Sequence, residues 1–309
     1  MMLKIITITF SPCIDKSTSV PELFPEKKLK CAEPKLDPGG GGINVSRAIK
    51  KLGGDTLAIF PSGGYTGKFF NYLIESENIP SIIVESSNET RENIIVLDES
   101  SGNQYRFGMP GTVLNENEWT KILEAVTAIE KPDYIVASGS LPPGVPSDIY
   151  ARISKMAKSK NAKFIVDTSG DALKHAIAEG AFLIKPNLGE LALLTGVEKI
   201  ELNDVENLAK KILQENPCEI IVVSLGKDGA ILVTKNETYK ASAPDVQRKS
   251  TVGAGDSMLA GIVYSISKGL NLEQALQYGV ACGTAATMNY GTELFHIKDV
   301  EALYKQMLH

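Results

Sequence analysis

The sequence has few of the residues from which metal sites and disulfide frameworks are built. Among its 309 residues there are only four cysteines and three histidines. The cysteines, at positions 13, 31, 218 and 282, show neither CxxC spacing nor a histidine-rich neighbourhood. A zinc site or a set of disulfides is therefore not expected. We predict reduced thiols, with Cys218 and Cys282 packed in the interior.

The sequence also lacks long apolar runs and an excess of positive charge. No apolar stretch reaches the ~18 residues that span a bilayer, and residues 1–10 lack the charged start, apolar segment and cleavage site of a secretory signal. A formal net charge of -5 gives no basic surface for nucleic acid. We expect a cytoplasmic protein that binds neither membranes nor nucleic acid.

The remaining composition is typical of a globular protein, with 43% hydrophobic and 22% charged residues. Leu3 to Phe10 is a short apolar run that suits a central, buried strand. From Leu57 onwards, short strand-like runs alternate with segments of helical spacing. This alternation predicts an α/β fold with a parallel sheet and helices on both of its faces.

Four extended segments interrupt the alternation. They are Ser17 to Val20, Lys28 to Glu33, Glu92 to Asp98 and Gln104 to Met109. Residues 99–103 join the last two segments, and their polar, glycine-containing composition predicts a hairpin turn. We predict a small sheet that projects from the main domain, built from about residues 16–36 and 91–110. It would serve as a lid or as a dimer contact.

A run of four glycines, Gly39 to Gly42, is followed by Ile43 and Asn44 and then by apolar residues at helical spacing. Successive glycines are costly unless the backbone needs unusual dihedral angles or a ligand approaches it closely. Substrate contact is the preferred interpretation, and a flexible linker is the alternative. The run is neither a Walker A loop nor the GxGxxG of dinucleotide binding.

Residues 250–257, Ser-Thr-Val-Gly-Ala-Gly-Asp-Ser, are the stretch most indicative of chemistry. Gly253, Ala254 and Gly255 fall at a predicted helix start, where uncovered N–H groups and the helix dipole favour an anion. Asp256 next to them could accept a proton from a hydroxyl, and phosphoryl transfer needs both elements. Taken alone, Asp256 could equally cap the helix.

Other polar residues at predicted strand ends have two interpretations. Asp15 lies where ligands bind in open parallel sheets, but it could be a turn residue. Residues 138–144 form either a cleft loop or a simple turn, and Ser224 to Gly229 either a hairpin or a path for a nucleotide. Asn187 and Glu190 could form a capping box, hold Mg²⁺ through water, or do both. Lys28, Lys30 and Arg91 are either solvated charges or ligands of a substrate phosphate.

Together, the motifs at residues 39–48 and 250–257 resemble those of the ribokinase-like (PfkB) carbohydrate kinases, and the resemblance covers essentially the whole chain. It implies one kinase domain, residues 1–309, with a three-layer αβα doubly wound sheet and a small β-sheet lid. Residues 24–31, 104–111 and 138–144 are most similar to the members that phosphorylate fructose 6-phosphate at C1 with ATP. These members act in glycolysis.

The resemblance also implies roles for individual residues. Asp256 would be the base, with Gly253, Ala254 and Gly255 forming the anion hole. The sugar phosphate would be held by Asp15, Lys28, Lys30, Gly40, Gly41, Asn44, Arg91 and Ser140, with Lys28 reaching in from the partner subunit of a homodimer. ATP would be held by Lys185, Asn187, Ser224, Gly226, Gly229, Arg248, Val280 and Thr284. Glu190 would lie near Mg²⁺, and a K⁺ site would be formed by Ser250, Val252, Ala286, Asn289, Gly291 and Glu293.

Two positions bear on the substrate and a third on the K⁺ site. The members that act on fructose 1-phosphate or tagatose 6-phosphate usually have a lysine within the glycine run, where this chain has Gly41. Lys30 replaces an arginine of similar members, which removes a bidentate phosphate contact. Glu293 also replaces an arginine, and a carbonyl ligand tolerates that change. Kinases of those two sugars, a non-catalytic sugar-phosphate sensor and a nicotinamide-dependent dehydrogenase are the alternative functions.

Overall fold

A computed structural model describes residues 5–308 of the chain. The strands in this range, numbered in chain order, are β1 (Ile5–Ile8), β2 (Cys13–Val20), β3 (Lys35–Gly39), β4 (Thr56–Ser62), β5 (Ser81–Glu85), β6 (Arg91–Asp98), β7 (Gln104–Phe107), β8 (Tyr134–Ser138), β9 (Lys163–Asp167), β10 (Ala181–Ile184), β11 (Cys218–Ser224), β12 (Ala230–Val233) and β13 (Thr238–Ala241). The helices are α1 (Gly41–Lys51), α2 (Gly64–Ser76), α3 (Glu116–Ala128), α4 (Ile149–Ser159), α5 (Gly170–Glu179), α6 (Leu188–Thr195), α7 (Val205–Glu215), α8 (Ala254–Ser267), α9 (Leu272–Thr287) and α10 (Ile297–Met307).

The main sheet has the order β13-β12-β11-β10-β9-β8-β1-β4-β5. The strands from β5 to β11 in this order are parallel, as predicted. At the other edge β12 pairs antiparallel with β11 and β13 pairs antiparallel with β12, so β12 is reversed relative to its neighbours. The chain between β11 and β12, residues 225–229, is too short for the crossover that a parallel strand needs. The hairpin interpretation of Ser224 to Gly229 is therefore confirmed, and an antiparallel hairpin extends the parallel sheet at this edge.

Helices cover both faces of this sheet, which confirms the predicted layers. The apolar run of β1 divides between the faces, because successive side chains of a strand point to opposite sides. Ile6 and Ile8 pack in the cluster covered by α3 to α7, and Ile5 packs in the cluster covered by α1, α8, α9 and α10. Within residues 5–308, no helix is long and apolar enough to cross a bilayer.

The small sheet has the order β3-β2-β6-β7, and its hairpin at residues 99–103 is as predicted. The prediction of a strand at Lys28 to Glu33 was wrong, because the strand paired with β2 is β3. Pro38 and Gly39 lie in β3, and both residue types are uncommon inside strands, so composition did not identify it. The earlier segment approaches β2 at Ala32, whose N–H donates to the Ser19 carbonyl over 2.9 Å.

All four cysteines are free thiols, as predicted, and Cys218 and Cys282 are buried. Cys13 is also buried, and Cys31 is exposed.

A third apolar cluster joins the small sheet to the main one. Ile14 of β2, Ile43 of α1 and Phe70 of α2 meet there with Phe60 of β4, and none of the four is exposed to solvent. The rings of Phe60 and Phe70 make an edge-to-face contact with centroids 5.3 Å apart. This cluster fixes the base of the small sheet relative to α1.

We predict that Phe70→Ala lowers the free energy of unfolding by ~3–5 kcal/mol, because it leaves a cavity in this cluster. Phe69 is 38% exposed on the same helix, so Phe69→Ala is a matched control that should cost less than ~1 kcal/mol. Chemical denaturation of both variants gives the comparison. Equal losses would show that the cluster does not hold the base of the small sheet.

Candidate active site

The candidate site lies where α1 and α8 begin, beyond the carboxyl ends of β1 and β8. The two helix starts are joined by a hydrogen bond from Asn44 Nδ2 to Asp256 Oδ2 over 2.9 Å. In open α/β sheets, ligands bind outside the carboxyl ends of the strands. The two glycine-containing motifs, more than 200 residues apart in sequence, therefore meet at the edge where a ligand is expected.

The glycine run is held in place by close packing. Gly40 has φ 111°, a conformation that side chains other than glycine rarely adopt, and Gly41 and Gly42 already belong to α1. A Cβ atom would lie 2.3 Å from Ser138 Oγ if added to Gly41, and 2.6 Å from the carbonyl oxygen of Ile8 if added to Gly42. The flexible-linker interpretation is therefore wrong.

The start of α8 has the open geometry that its sequence predicted. Gly253, the residue before the helix, has a left-handed φ of 73°, and no side-chain cap is found at this end within the described range. Ala254 and Gly255 follow, so small side chains cover the first N–H groups. The Asp256 side chain accepts a hydrogen bond from Asn44 across the site and does not cap α8, so the alternative interpretation of this residue as a helix cap is wrong.

Asp256 is half-buried at the start of α8. Burial raises its pKa from 3.8 to about 6, and the nearby carboxylate of Asp167 and that of Asp15 add to the increase. The hydrogen bond from Asn44 and the positive charge of Lys185 lower the pKa of Asp256 and so offset part of this increase. Asp256 is therefore a carboxylate whose affinity for a proton is raised to just below neutral pH.

Lys185 and Asp167 form a buried ion pair beside Asp256. Lys185 Nζ lies 3.1 Å from Asp167 Oδ2, and the lysine side chain is 7% exposed. Burial alone would lower the pKa of Lys185, but the carboxylates of Asp167 and Asp256 raise it, so the ammonium keeps its charge. A Cβ atom on Gly255 would lie only 3.3 Å from Lys185 Nζ, which places this charge beside the start of α8.

One pocket, here called the Asp15 pocket, has a volume of about 280 Å³ and opens on Asp256. It lies between the helix starts and the inner face of the small sheet. Its lining consists of Cys13, Asp15, Gly40, Asn44, Arg91, Asn93, Ile94, Ile95, Arg106, Phe107, Gly108, Val252, Gly253 and Asp256. Five residues that the sequence assigned to the sugar phosphate or to the base are thus brought together: Asp15, Gly40, Asn44, Arg91 and Asp256.

Asn93 also lines this pocket and was not identified from the sequence. Its Nδ2 donates to Asp15 Oδ1 over 3.0 Å, and its Oδ1 accepts from the backbone N–H of Met109 over 3.1 Å. The amide thus fixes one oxygen of Asp15. An asparagine inside a strand is unfavourable on propensity alone, which is the signal that could have identified it.

Two arginines bring positive charge to the same pocket. Arg91 is held by the carbonyl oxygens of Met109 and Ser11, at 2.9 and 3.1 Å. Arg106, which the sequence did not single out, donates to the Thr251 hydroxyl. Thr251 lines the adjacent pocket, so Arg106 connects the small sheet to the loop before α8.

The adjacent pocket, here called the Arg248 pocket, has a volume of about 240 Å³. Many of the residues assigned to ATP or to the anion hole share its wall with other residues of α8 and α9. Its lining consists of Ser224, Gly226, Lys227, Gly229, Ala243, Pro244, Arg248, Thr251, Ala254, Gly255, Met258, Val280, Gly283, Thr284 and Thr287. Its wall at Ala254 and Gly255 is the start of α8, which therefore separates the two pockets.

Asn187 and Glu190 form the predicted capping box at the start of α6. Glu190 N donates to Asn187 Oδ1 and Asn187 N donates to Glu190 Oε2, both over 2.9 Å. Asn187 also pairs with Ser224, so the box lies beside the Arg248 pocket. Burial raises the pKa of Glu190, partly offset by the backbone hydrogen bond from Asn187.

The residues assigned to K⁺ lie on two segments that meet at the end of α9. The backbone N–H groups of Lys249 and Ser250 donate to the Thr287 carbonyl, over 2.7 and 3.2 Å. Asn289 Nδ2 donates to the carbonyls of Ala285 and Leu294. The K⁺ set of Ser250, Val252, Ala286, Asn289, Gly291 and Glu293 lies on these two segments, and the Glu293 carboxylate pairs with Lys35 at 2.8 Å.

Three other predicted residues lie elsewhere. Lys28 and Lys30 are exposed on the segment between β2 and β3, and Ser140 is exposed after β8, all outside the linings of both pockets.

Comparison with known proteins gives a consistent result. The family model described as pfkB family carbohydrate kinase matches residues 5–298. The ATP-dependent 6-phosphofructokinase isozyme 2 of Escherichia coli (strain K12) is 43% identical over 304 residues, which covers 98% of each chain. Crystal structures of phosphofructokinase-2 from E. coli with potassium and with fructose-6-phosphate superpose with TM-scores of 0.95 and 0.94, at 42% and 40% identity, and cover 100% of both chains. The predicted ribokinase-like fold is thereby confirmed.

The raised pKa of Asp256 predicts that its charge destabilises the fold. The pKa of Asp256 is higher in the folded protein, about 6, than the ordinary value of 3.8 expected in the unfolded chain. Protonation of Asp256 therefore stabilises the fold fully below about pH 3.8, and this stabilisation is lost as the pH rises through about 6. Asp256→Asn should therefore raise the free energy of unfolding near neutral pH by ~1–3 kcal/mol. The difference should shrink towards pH ~4.

Denaturant unfolding at both pH values measures this effect. Asp55→Asn, at an exposed position, is the control and should change the free energy by less than ~0.5 kcal/mol. If Asp256→Asn were less stable than the unmodified protein near neutral pH, the account of a costly buried carboxylate would be wrong.

Proposed function

The chain belongs to the pfkB family of carbohydrate kinases, and we propose that it is an ATP-dependent 6-phosphofructokinase. It transfers the γ-phosphoryl group of ATP to the C1 hydroxyl of fructose 6-phosphate. The observation that carries the proposal is the position of Asp256 at the uncapped start of α8, between the Asp15 and Arg248 pockets. The 43% identity to the E. coli enzyme supports the choice of substrate.

Asp256 acts as the base in this proposal. Its carboxylate accepts the proton of the C1 hydroxyl while the oxygen attacks the γ-phosphorus and the bond to ADP breaks. A pKa of about 6 leaves the group mostly ionised at neutral pH and gives it more affinity for the proton than an ordinary aspartate has. Activity therefore falls as the pH falls through about 6.

The start of α8 stabilises the group in transfer. The backbone N–H groups of Gly253, Ala254 and Gly255 form the anion hole, because the first N–H groups of a helix lack partners within the helix. The N–H of Ala254 also makes a long contact, of 3.5 Å, with the Thr251 carbonyl. Lys185 adds a fixed positive charge beside Gly255. These groups are already in place before reaction, so no reorganisation is needed as charge develops.

The sugar phosphate occupies the Asp15 pocket. Asp15 accepts hydrogen bonds from its hydroxyls and Asn44 donates to them, with Gly40 at the wall, and Arg91 binds the 6-phosphate. We also assign Gly41 and Ser140, which lie outside the lining of this pocket, to the sugar. We assign Lys28 and Lys30 to the same phosphate, with Lys28 supplied by the partner subunit of a homodimer.

The small sheet carries exposed apolar side chains that such a dimer would cover. The strand register places Ile94, Tyr105 and Phe107 on one face of the sheet, where they are 36%, 39% and 48% exposed, and Ile94 and Phe107 also contribute to the lining of the Asp15 pocket.

ATP occupies the Arg248 pocket, with its phosphates directed to the start of α8. The residues assigned to it are Lys185, Asn187, Ser224, Gly226, Gly229, Arg248, Val280 and Thr284. Mg²⁺ fits beside Glu190, because a cation would relieve the cost of burying that carboxylate. When bound, the metal neutralises charge on the ATP phosphates.

Potassium fits the end of α9, where carbonyl oxygens and the negative end of the helix dipole are concentrated. Its assigned ligands are Ser250, Val252, Ala286, Asn289, Gly291 and Glu293, mostly through backbone oxygens. The hydrogen bonds from Lys249 and Ser250 to Thr287 hold the two segments of this set together. The ion would favour one conformation of the loop that leads into α8.

The alternative functions fit the molecule less well. A lysine at position 41 would need space that the Ser138 side chain occupies, so the glycine run lacks the feature expected for kinases of fructose 1-phosphate or tagatose 6-phosphate. A dinucleotide site needs a helix directly after β1, whereas β1 leads into β2 of the small sheet. A sensor would not need a base next to an anion hole.

We predict that ADP release with MgATP and K⁺ shows the highest kcat/KM for fructose 6-phosphate. The comparison uses fructose 6-phosphate, tagatose 6-phosphate and fructose 1-phosphate at limiting concentrations. Preference for either of the other sugars would keep the kinase assignment and overturn the substrate assignment. Inactivity on all three would favour the sensor.

A further inference from the structure

Arg47 is a buried charge that the proposed mechanism does not use. It lies in α1 one turn after Asn44, and its side chain is 2% exposed. Its Nε donates to both carboxylate oxygens of Glu77 over 2.9 Å, and its Nη2 faces Asp37 Oδ1 at 3.4 Å. A guanidinium with two carboxylate partners is compensated in charge and fixed in orientation.

The third nitrogen of Arg47 points towards the active site. Arg47 Nη1 donates to the carbonyl oxygens of Pro38 and Thr292, both over 2.9 Å. The same atom lies 3.4 Å from Asn44 Oδ1. Arg47 thus joins the segment before the glycine run and the loop after α9 to the side chain that contacts Asp256.

An arginine can only donate hydrogen bonds, and this determines how the Asn44 amide must be oriented. The amide atom that faces Arg47 has to be the oxygen, so the nitrogen faces Asp256 and donates to its carboxylate. With the opposite orientation, the amide oxygen would face the carboxylate and the amide nitrogen would face the guanidinium. Both contacts would be repulsive.

We propose that Arg47 is a positioning residue that orients the Asn44 amide so that Nδ2 donates to the catalytic carboxylate of Asp256. The role of Asp256 as the base rests on the proposed function. The orientation of Asn44 does not, so it can be tested in the protein without substrates.

Loss of this orientation should raise the pKa of Asp256. The bond from Asn44 stabilises the ionised form of Asp256, so losing it raises the proton affinity of that carboxylate. The other charged or titratable groups around Asp256 are Asp15, Cys13, Asp167, Lys185, Arg91 and Arg106. The hydrogen-bond partners of Arg47 are Glu77, Asp37, Pro38, Thr292 and Asn44, so among the residues it touches only Asn44 contacts Asp256. Because Arg47→Lys keeps the positive charge, a change in the pKa of Asp256 in that variant is attributed to the amide.

The test measures the pKa of Asp256 by ¹³C NMR of its side-chain carboxyl group. Arg47→Lys keeps the positive charge but cannot reproduce the planar set of donors. We expect the pKa of Asp256 to rise by about one in this variant, because a hydrogen bond to the charged form is lost. The acid limb of kcat/KM should move to higher pH by the same amount, so activity at a fixed pH below that limb should fall about tenfold.

Glu77→Gln is the matched control. It weakens the charge pairing of Arg47 but leaves the contacts to Pro38, Thr292 and Asn44 in place, so the pKa of Asp256 should not change. The second control compares Asn44→Ala with the double variant Asn44→Ala, Arg47→Lys. Because the amide is absent from both, we expect the pKa of Asp256 to be the same in the two proteins. The double variant Arg47→Gln, Glu77→Gln removes both charges together and should show the same rise if Arg47→Lys does not fold.

An unchanged pKa in the Arg47 variants would overturn the proposal. It would also be overturned by an equal rise in Glu77→Gln, or by a full rise that persists without Asn44. A raised pKa with an unmoved acid limb would support the positioning of Asn44 and contradict the assignment of Asp256 as the base.

Discussion

The arrangement of the site depends on one carboxylate held between two helix starts. Asp256 is half-buried and loses part of its hydration, and Asn44 donates one hydrogen bond to it over 2.9 Å. That contact requires α1 to begin directly against the ends of β1 and β8, which only residues without Cβ atoms allow at Gly41 and Gly42. The glycine run is therefore a packing requirement as well as part of a pocket wall. At the other helix, Gly253 and the absence of a side-chain cap leave the start of α8 uncovered next to the carboxylate of Asp256.

The charges around Asp256 balance opposing needs. A base must keep some affinity for a proton near neutral pH, which burial and Asp167 provide, yet it must also be ionised to act. Lys185 limits the rise in pKa and is itself kept charged by Asp167. The folded state accepts the cost of a buried negative charge at the position where the reaction needs it. Stability and activity therefore have opposite requirements at this one residue.

Much of the fold and of the site could be predicted from local patterns. The alternation after Leu57 predicted the layers, and the two glycine-containing motifs predicted both helix starts and Asp256. What could not be predicted depends on contacts between distant segments. Strand β3 contains proline and glycine, and it forms because its backbone pairs with that of β2. Asn93 and Arg47 act through atoms of Asp15 and Asn44, which no pattern of spacing reveals.

The most direct test of the central role of Asp256 is the rate of phosphoryl transfer in a single turnover of Asp256→Asn, with fructose 6-phosphate binding measured in parallel. Asparagine keeps the shape and an oxygen for Asn44 but cannot accept the proton. We expect a rate lower by ~10²–10⁴-fold, with the dissociation constant for the sugar phosphate changed much less. A folded variant that binds the sugar and transfers the phosphoryl group at a near-normal rate would contradict the central role of Asp256.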